Sequence, residues 1–178
     1  MIIKILAGLV ILVAALVAFI ATRPADFTVT RSAVLSAPPA AVFAQVNDLH
    51  KWEAWSPWAK LDPNSKATFD GPAAGPGSSM AWAGNNEVGE GKMTITESTP
   101  AERIAMRLEF LKPFQATNTT EFTFKPEGDG TRVTWTMSGE NNFMAKAVGL
   151  VMDCDKLVGG QFEQGLANLK GVVAGNPN

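Results

Sequence analysis

From Ile5 to Ala21 the chain is an unbroken run of 17 apolar or Gly residues, and Lys4 is the sole charged side chain among residues 1–22. At 1.5 Å rise per residue, about 20 helical residues cover a hydrocarbon core of roughly 30 Å, so residues 1–22 predict a single transmembrane anchor. The competing reading is a cleaved signal peptide, which wants small residues at its cut. Phe19-Ile20-Ala21 puts a bulky ring there, which favours the uncleaved anchor. Residues 23–26 make a linker, marked by Pro24, since a proline just past a helix cannot continue it. In a short N-terminal anchor the leading charge, here Lys4, usually stays cytoplasmic, which directs the domain outward, into a periplasm if the cell has one. Arg23 and Arg31 after the helix weigh against that orientation.

Residues 27–175 form the domain. Phe27 to Leu35 reads as a strand in which Phe27 and Val29 are followed by Ala33 or Val34, an alternation that slips once as at a bulge. Ser36 or Ala37 bounds a helix whose Val42, Phe43 and Val46 form its apolar stripe, with Pro38 and Pro39 tolerated in the first turn. His50 to Trp55 predicts one or two further turns with Trp52 and Trp55 on a common face. Residues 62–78 are loop around a brief strand, Ala67-Thr68-Phe69. Ser79 to Ala83 is a short strand, and Val88 to Glu97 sets Met93 and Ile95 on one face. Arg103 to Phe110 alternates, with Ile104, Met106, Leu108 and Phe110 on one face. Thr117 to Phe124 does the same with Asn118, Thr120, Phe122 and Phe124, and Arg132 to Ser138 with Val133, Trp135 and Met137. The last element, Met144 to Val173, carries Leu157, Val158, Phe162, Leu166, Leu169 and Val173 at helical spacing. Gly159-Gly160 interrupts it, and Asn141 to Met152 is either a separate helix or a loop. The predicted class is α+β: an antiparallel sheet with one apolar face, curled around the only long amphipathic helix available to cover it.

Composition narrows the function classes. With 46% hydrophobic residues and a net charge of -2 the chain is neither disordered nor a basic nucleic-acid binder. A single Cys excludes an internal disulfide and a Cys-based zinc cluster, and a single His excludes a His-based metal site. His50 lies beside Asp48 and Lys51 at a helix junction, a solvent or capping position, and Cys154 is flanked by Asp153 and Asp155, which disfavour a thiolate. Gly71 to Gly77 and Gly89-x-Gly91 are turns, since neither leads from a strand into a helix as a nucleotide fingerprint must. Asn118-Thr119-Thr120 matches a glycosylation acceptor, but alternation turns Asn118 inward. No catalytic set, metal site or cofactor is predicted.

Val34 through Pro38 or Pro39 to Val42-Phe43, together with W-x-x-W-S-P-W from Trp52 to Trp58, resembles the polyketide cyclase/dehydrase-like branch of the SRPBCC superfamily, the START and Bet v 1 helix-grip fold. Asp62-Pro63, a Gly-rich loop, Trp82 and Gly89 to Gly91 are similar to bacterial members with an N-terminal hydrophobic helix. The resemblance covers residues 27–173 and implies a helix-grip fold with an apolar cavity between sheet and C-terminal helix, used in relatives for lipids, hormones or polyketides. The candidate lining is Trp52, Trp55, Trp82, Met93, Met106, Leu108, Phe122, Trp135, Met137, Phe162 and Leu166. A membrane-anchored protein binding a lipid or other hydrophobic small molecule is the expected function. The alternatives are a polyketide cyclase-like enzyme, with Asp48, His50, Glu90 or Arg107 as participants, and a cavity-free interaction module.

Overall fold

The computed structural model describes residues 2–175 and opens on a continuous helix, α1 (Ile2–Ala21), in which Ile20 alone is buried. After the linker come β1 (Asp26–Leu35), α2 (Pro39–Val46) and a 3-10 turn (Leu49–Ala54). Six strands follow: β2 (Lys66–Asp70), β3 (Ser79–Ala83), β4 (Glu90–Thr99), β5 (Arg103–Lys112), β6 (Ala116–Glu127) and β7 (Gly130–Glu140). Two helices, α3 (Phe143–Val148) and α4 (Cys154–Val173), close the chain. All strands join one antiparallel sheet in the order β1-β7-β6-β5-β4-β3-β2, so the first strand pairs with the last and the meander runs outward to β2. The fold is the helix-grip arrangement the resemblance implies.

Period-two burial gives β6 and β7 one buried face, with Asn118, Thr120, Phe122 and Phe124 beside Val133, Trp135 and Met137. α4 lays Phe162, Leu166 and Leu169 on that face. Pro38 and Pro39 begin α2, at N-cap and first-turn positions, a little later than Ser36 or Ala37. Ser36-Ala37 instead makes a turn fixed by Thr131, whose hydroxyl donates to the Ala37 carbonyl at 2.7 Å.

Two sequence expectations are corrected, both by one side chain. β1 does not slip: its register on β7 is continuous from Asp26 with Glu140 to Leu35 with Thr131. Its inward positions are Phe27, Val29, Arg31, Ala33 and Leu35, and Arg31 stays under α4 because its guanidinium donates to Glu163 at 2.8 Å and to Asp155 at 2.9 Å. Gly159-Gly160 does not interrupt α4 either. Gly159 admits the guanidinium: a Cβ there would lie 2.0 Å from Arg31 Nη2.

Candidate functional site

The inner face of the sheet divides into a filled part and a half-open part. In the filled part Trp135 stacks on Phe162 with centroids 4.1 Å apart and rings 7° from parallel, and tilts onto Phe122 at 4.7 Å. Trp52 and Trp55, one 3-10 turn apart, meet at 4.4 Å and set their edges against Phe122 and Trp135. Trp58 completes the group edge-on to Trp135 and Phe162. The helix meets this stack closely, since a Cβ on Gly165 would come within 2.8 Å of the Trp135 ring. The indole N–H groups of Trp52 and Trp55 donate to the carbonyls of Val46 and Gln45. These rings therefore join α2, the 3-10 turn, the sheet and α4 in one packed core.

All the candidate lining residues fall in a single cluster. Trp52, Trp55, Met93, Met106, Phe122, Trp135, Met137, Phe162 and Leu166 are buried in it, and Trp82 and Leu108 are half-buried against it. The vacancy expected beside Trp52, Trp55 and Trp135 is thus occupied by the protein's own aromatic side chains.

Across β3, β4 and β5 the burial lapses. Trp82 and Met80 lie on the inner face beside Met93, opposite Gly91 and Met93 respectively in the β3–β4 register, and they continue to Leu108 and Phe110 on β5. Met80, Trp82, Leu108 and Phe110 are only half-buried. Trp82 is held flat by its N–H, which donates to the Val88 carbonyl at 3.2 Å, and by Gly91, where a Cβ would strike the indole at 2.4 Å. The buried Asp62 carboxylate accepts the backbone N–H groups of Asn64 and Asn85, which ties the loop before β2 to the β3–β4 turn. Asp62-Pro63, Trp82 and Gly89 to Gly91 are accordingly structural clasps that present an apolar shelf.

Among the described residues, two buried side-chain polar atoms on the inner face lack a hydrogen-bond partner, Asn118 Oδ1 and Trp135 Nε1. Asn118 stands directly across from Leu108, at the inner margin of the shelf. Its carboxamide lies over Gly139, where a Cβ would come within 2.2 Å of Oδ1, and its NH2 meets only the Met137 sulfur, at 3.9 Å. An acceptor left unpaired in an apolar wall costs about 1–3 kcal/mol unless something donates to it. Alternation had already placed Asn118 and Phe110 inward. A carboxamide set inward between Leu108 and Met137 was the signal that could have added Asn118 to the candidate list.

The groups considered for catalysis stand elsewhere. His50 stacks on Phe69 at 4.1 Å and its ring nitrogen meets Asp48 Oδ1 at 3.1 Å, while the same carboxylate caps the 3-10 turn. Glu90 pairs with Lys112 at 2.8 Å, and Arg107 pairs with Glu109 on the outer face. Cys154 is exposed; Asp153 caps α4 and Asp155 binds Arg31, whose guanidinium holds the Asp155 carboxyl below its ordinary value. Open grooves also mark the surface. One crosses the outer face between Thr28, Thr96, Arg107, Thr119 and Ser138, and another lies at the foot of α1, between Arg23 and the 149–154 segment.

Solved structures share this architecture. Protein CV1439 from Chromobacterium violaceum superposes with a TM-score of 0.61 at 19% identity, over 85% of this chain and 98% of that one. Protein MLL2253 from Mesorhizobium loti gives a TM-score of 0.62 at 15% identity, over 85% of this chain and 100% of its own. The crystal structure of Ara h 8.0201 matches at 0.56 and 14% identity, covering 85% of this chain and 99% of that one. No curated protein sequence matches the chain. Residues 26–174, from the first residue of β1 to just past α4, match the family described as polyketide cyclase / dehydrase and lipid transport, and the chain belongs to that family.

Proposed function

We propose that this chain is a membrane-tethered binding protein for a hydrophobic small molecule or lipid, taken onto the inner face of β3, β4 and β5 beside α4. The observation that carries the reading is the half-open shelf itself: Met80, Trp82, Leu108 and Phe110 face inward yet remain half-buried. Small-molecule sites are lined mostly by apolar and aromatic side chains with a few polar groups, which is the composition of this shelf and its margin. Asn118, at the margin of the shelf, supplies an acceptor, so the fitting ligand is an amphiphile carrying a hydroxyl or similar donor group. The family description, which includes lipid transport, supports the same class. The packed stack of Trp52, Trp55, Phe122, Trp135 and Phe162 forms the closed end of the site.

The anchor is α1, a helix of 20 residues that is long and apolar enough to cross a bilayer. Arg23 sits over the Phe19 ring at 5.8 Å, the pairing of a cation and an aromatic ring expected where a helix leaves the hydrocarbon. Lys4 supports an orientation with the domain outside the cytoplasm.

The test compares the full chain, taken from its membrane in polymer-bounded lipid discs, with the Leu108→Trp variant, which fills the shelf. Lys125→Ala, on the exposed far end of β6, serves as control. Each is denatured and its organic extract analysed by mass spectrometry. A molecule enriched over bulk lipid in wild type and control, and lost in Leu108→Trp at unchanged melting temperature, is the expected result. Identical extracts from all three would overturn the proposal.

A further inference from the structure

We infer that the segment from Phe143 to Met152 is a second membrane element, seated in the headgroup and upper acyl region beside the foot of α1. The inference rests on the reading of α1 as a spanning helix. Only Thr22 to Ala25 separate α1 from β1, and four residues reach at most about 14 Å even when extended. A domain on so short a tether stays at the bilayer surface, and the contacts of the linker decide which side it presents. α3 touches α1, and the Asn141 N–H donates to the Ala25 carbonyl at 2.7 Å, so the 143–152 segment is the part of the domain nearest the anchor.

What that segment exposes is apolar. Phe143 is 48% exposed, Met144 56%, Leu150 39%, Val151 84% and Met152 47%. α3 buries none of its residues fully: Ala145 to Val148 are half-buried, while Phe143 and Met144 stand exposed with no packing reason to be apolar in water. Leu157, 54% exposed one turn into α4, extends the surface on the flank opposite the one that holds Arg31. The charges fit the same depth. Arg23 and Lys146 line the groove between linker and segment, where headgroup phosphates lie, and Asp26 and Asp153 line it as well. Apolar side chains directed to the acyl boundary with cations at headgroup level describe an interfacial element. The tether selects the bilayer over a protein as occupant, because the surface is continuous with α1.

This placement gives the proposed binding function a route. A ligand leaving the bilayer would meet the start of α4 without crossing bulk water, and the hydrophobic shelf lies on the sheet that α4 covers.

Spin labels on the full chain in lipid nanodiscs test it, in a Cys154→Ser background with single substitutions Leu12→Cys, Val151→Cys and Asp129→Cys. All three positions are exposed, so labelling leaves the packing intact. Asp129 lies in the β6–β7 turn at the opposite end of the sheet. Collision with oxygen, which concentrates in lipid, is compared with collision with a water-soluble nickel chelate. The expected oxygen-to-nickel ratio is several-fold higher at residues 12 and 151 than at 129. A lipid-like ratio at residue 12 with a 129-like ratio at 151 overturns the interfacial element and leaves the anchor standing. Water-like ratios at both 12 and 151 overturn the anchor and this inference together.

Discussion

Replacing the adjacent helical glycines of α4 one at a time should move stability in opposite directions. A Cβ on Gly160 meets nothing within 4 Å, so Gly160→Ala gains the helix-propensity difference alone, about 1 kcal/mol. Gly159→Ala gains the same increment, but its Cβ would lie 2.0 Å from Arg31 Nη2 and 2.3 Å from Cζ. The guanidinium cannot yield cheaply. It is held by Glu163, by the Asp155 carboxylate and carbonyl and by the Thr30 carbonyl, and its stem is fixed in the β1 register opposite Trp135. Overpacking of this kind costs about 1–3 kcal/mol, which cancels or exceeds the propensity gain. The two variants should therefore differ by about 1–3 kcal/mol, and at about 2–4 °C per kcal/mol for a domain of this size Gly160→Ala should melt several degrees above Gly159→Ala. The assay is near-ultraviolet circular dichroism of the full chain in detergent, which follows the Trp stack and not α1. Equal stabilisation by both substitutions would refute the placement of Arg31 beneath the helix.

Other outcomes follow from single contacts. Trp135→Phe keeps the stack on Phe162, loses about 2 kcal/mol of buried ring and removes an unpartnered N–H that costs about 1–3 kcal/mol, so it should lie within about 1 kcal/mol of wild type. Phe122→Ala, in the same cluster, should cost about 3–5 kcal/mol in denaturant titrations, and equal losses for the two would contradict the unpaired indole. The Arg31 guanidinium, chiefly through its hydrogen bond, holds the Asp155 carboxyl below its ordinary value of 3.8. A carboxylate with a lowered folded pKa stabilises above its unfolded value and loses that contribution as pH falls through the folded one. Asp155→Asn should thus melt below wild type at neutral pH, with the gap closing below pH 3.8; a gap independent of pH would exclude the ion pair as its cause.

The alternation of β5, β6 and β7 was legible because each strand has one wet face, and period-two burial needs no information from outside the strand. The same rule placed Met93, Met106, Leu108, Phe122, Trp135 and Met137 inward. It could not divide them into those that fill the core and those that border open space. That division depends on where α4 meets a curved sheet: it packs closely over Trp135, where Gly165 permits the approach, while Met80, Trp82, Leu108 and Phe110 on β3 to β5 stay half-buried. The terminal helices show a similar limit. Residues 143–152 carry many apolar side chains without a helical stripe, and such a pattern does not state whether a core or a bilayer is the apolar phase they meet.

The two departures in local structure have one cause, and it is not local. Arg31 broke the apolar alternation of β1 and so suggested a bulge, while Gly159-Gly160 broke the stripe of α4 and so suggested an interruption. In the fold these anomalies are two halves of a single contact: the charge on the inner face of β1 needs a helix without a side chain at one position and with carboxylates one turn to either side, at Asp155 and Glu163. A polar residue on an apolar strand face and a glycine inside an apolar helix stripe, each costly alone, become consistent when they face each other. Asn118 is the inward polar residue for which no such partner exists within the described residues, since its Oδ1 receives no donor. Arg31 shows that this sheet places a polar group inside where something meets it, and that contrast makes the Asn118 carboxamide, at the margin of the shelf, the atom at which a bound amphiphile would be read.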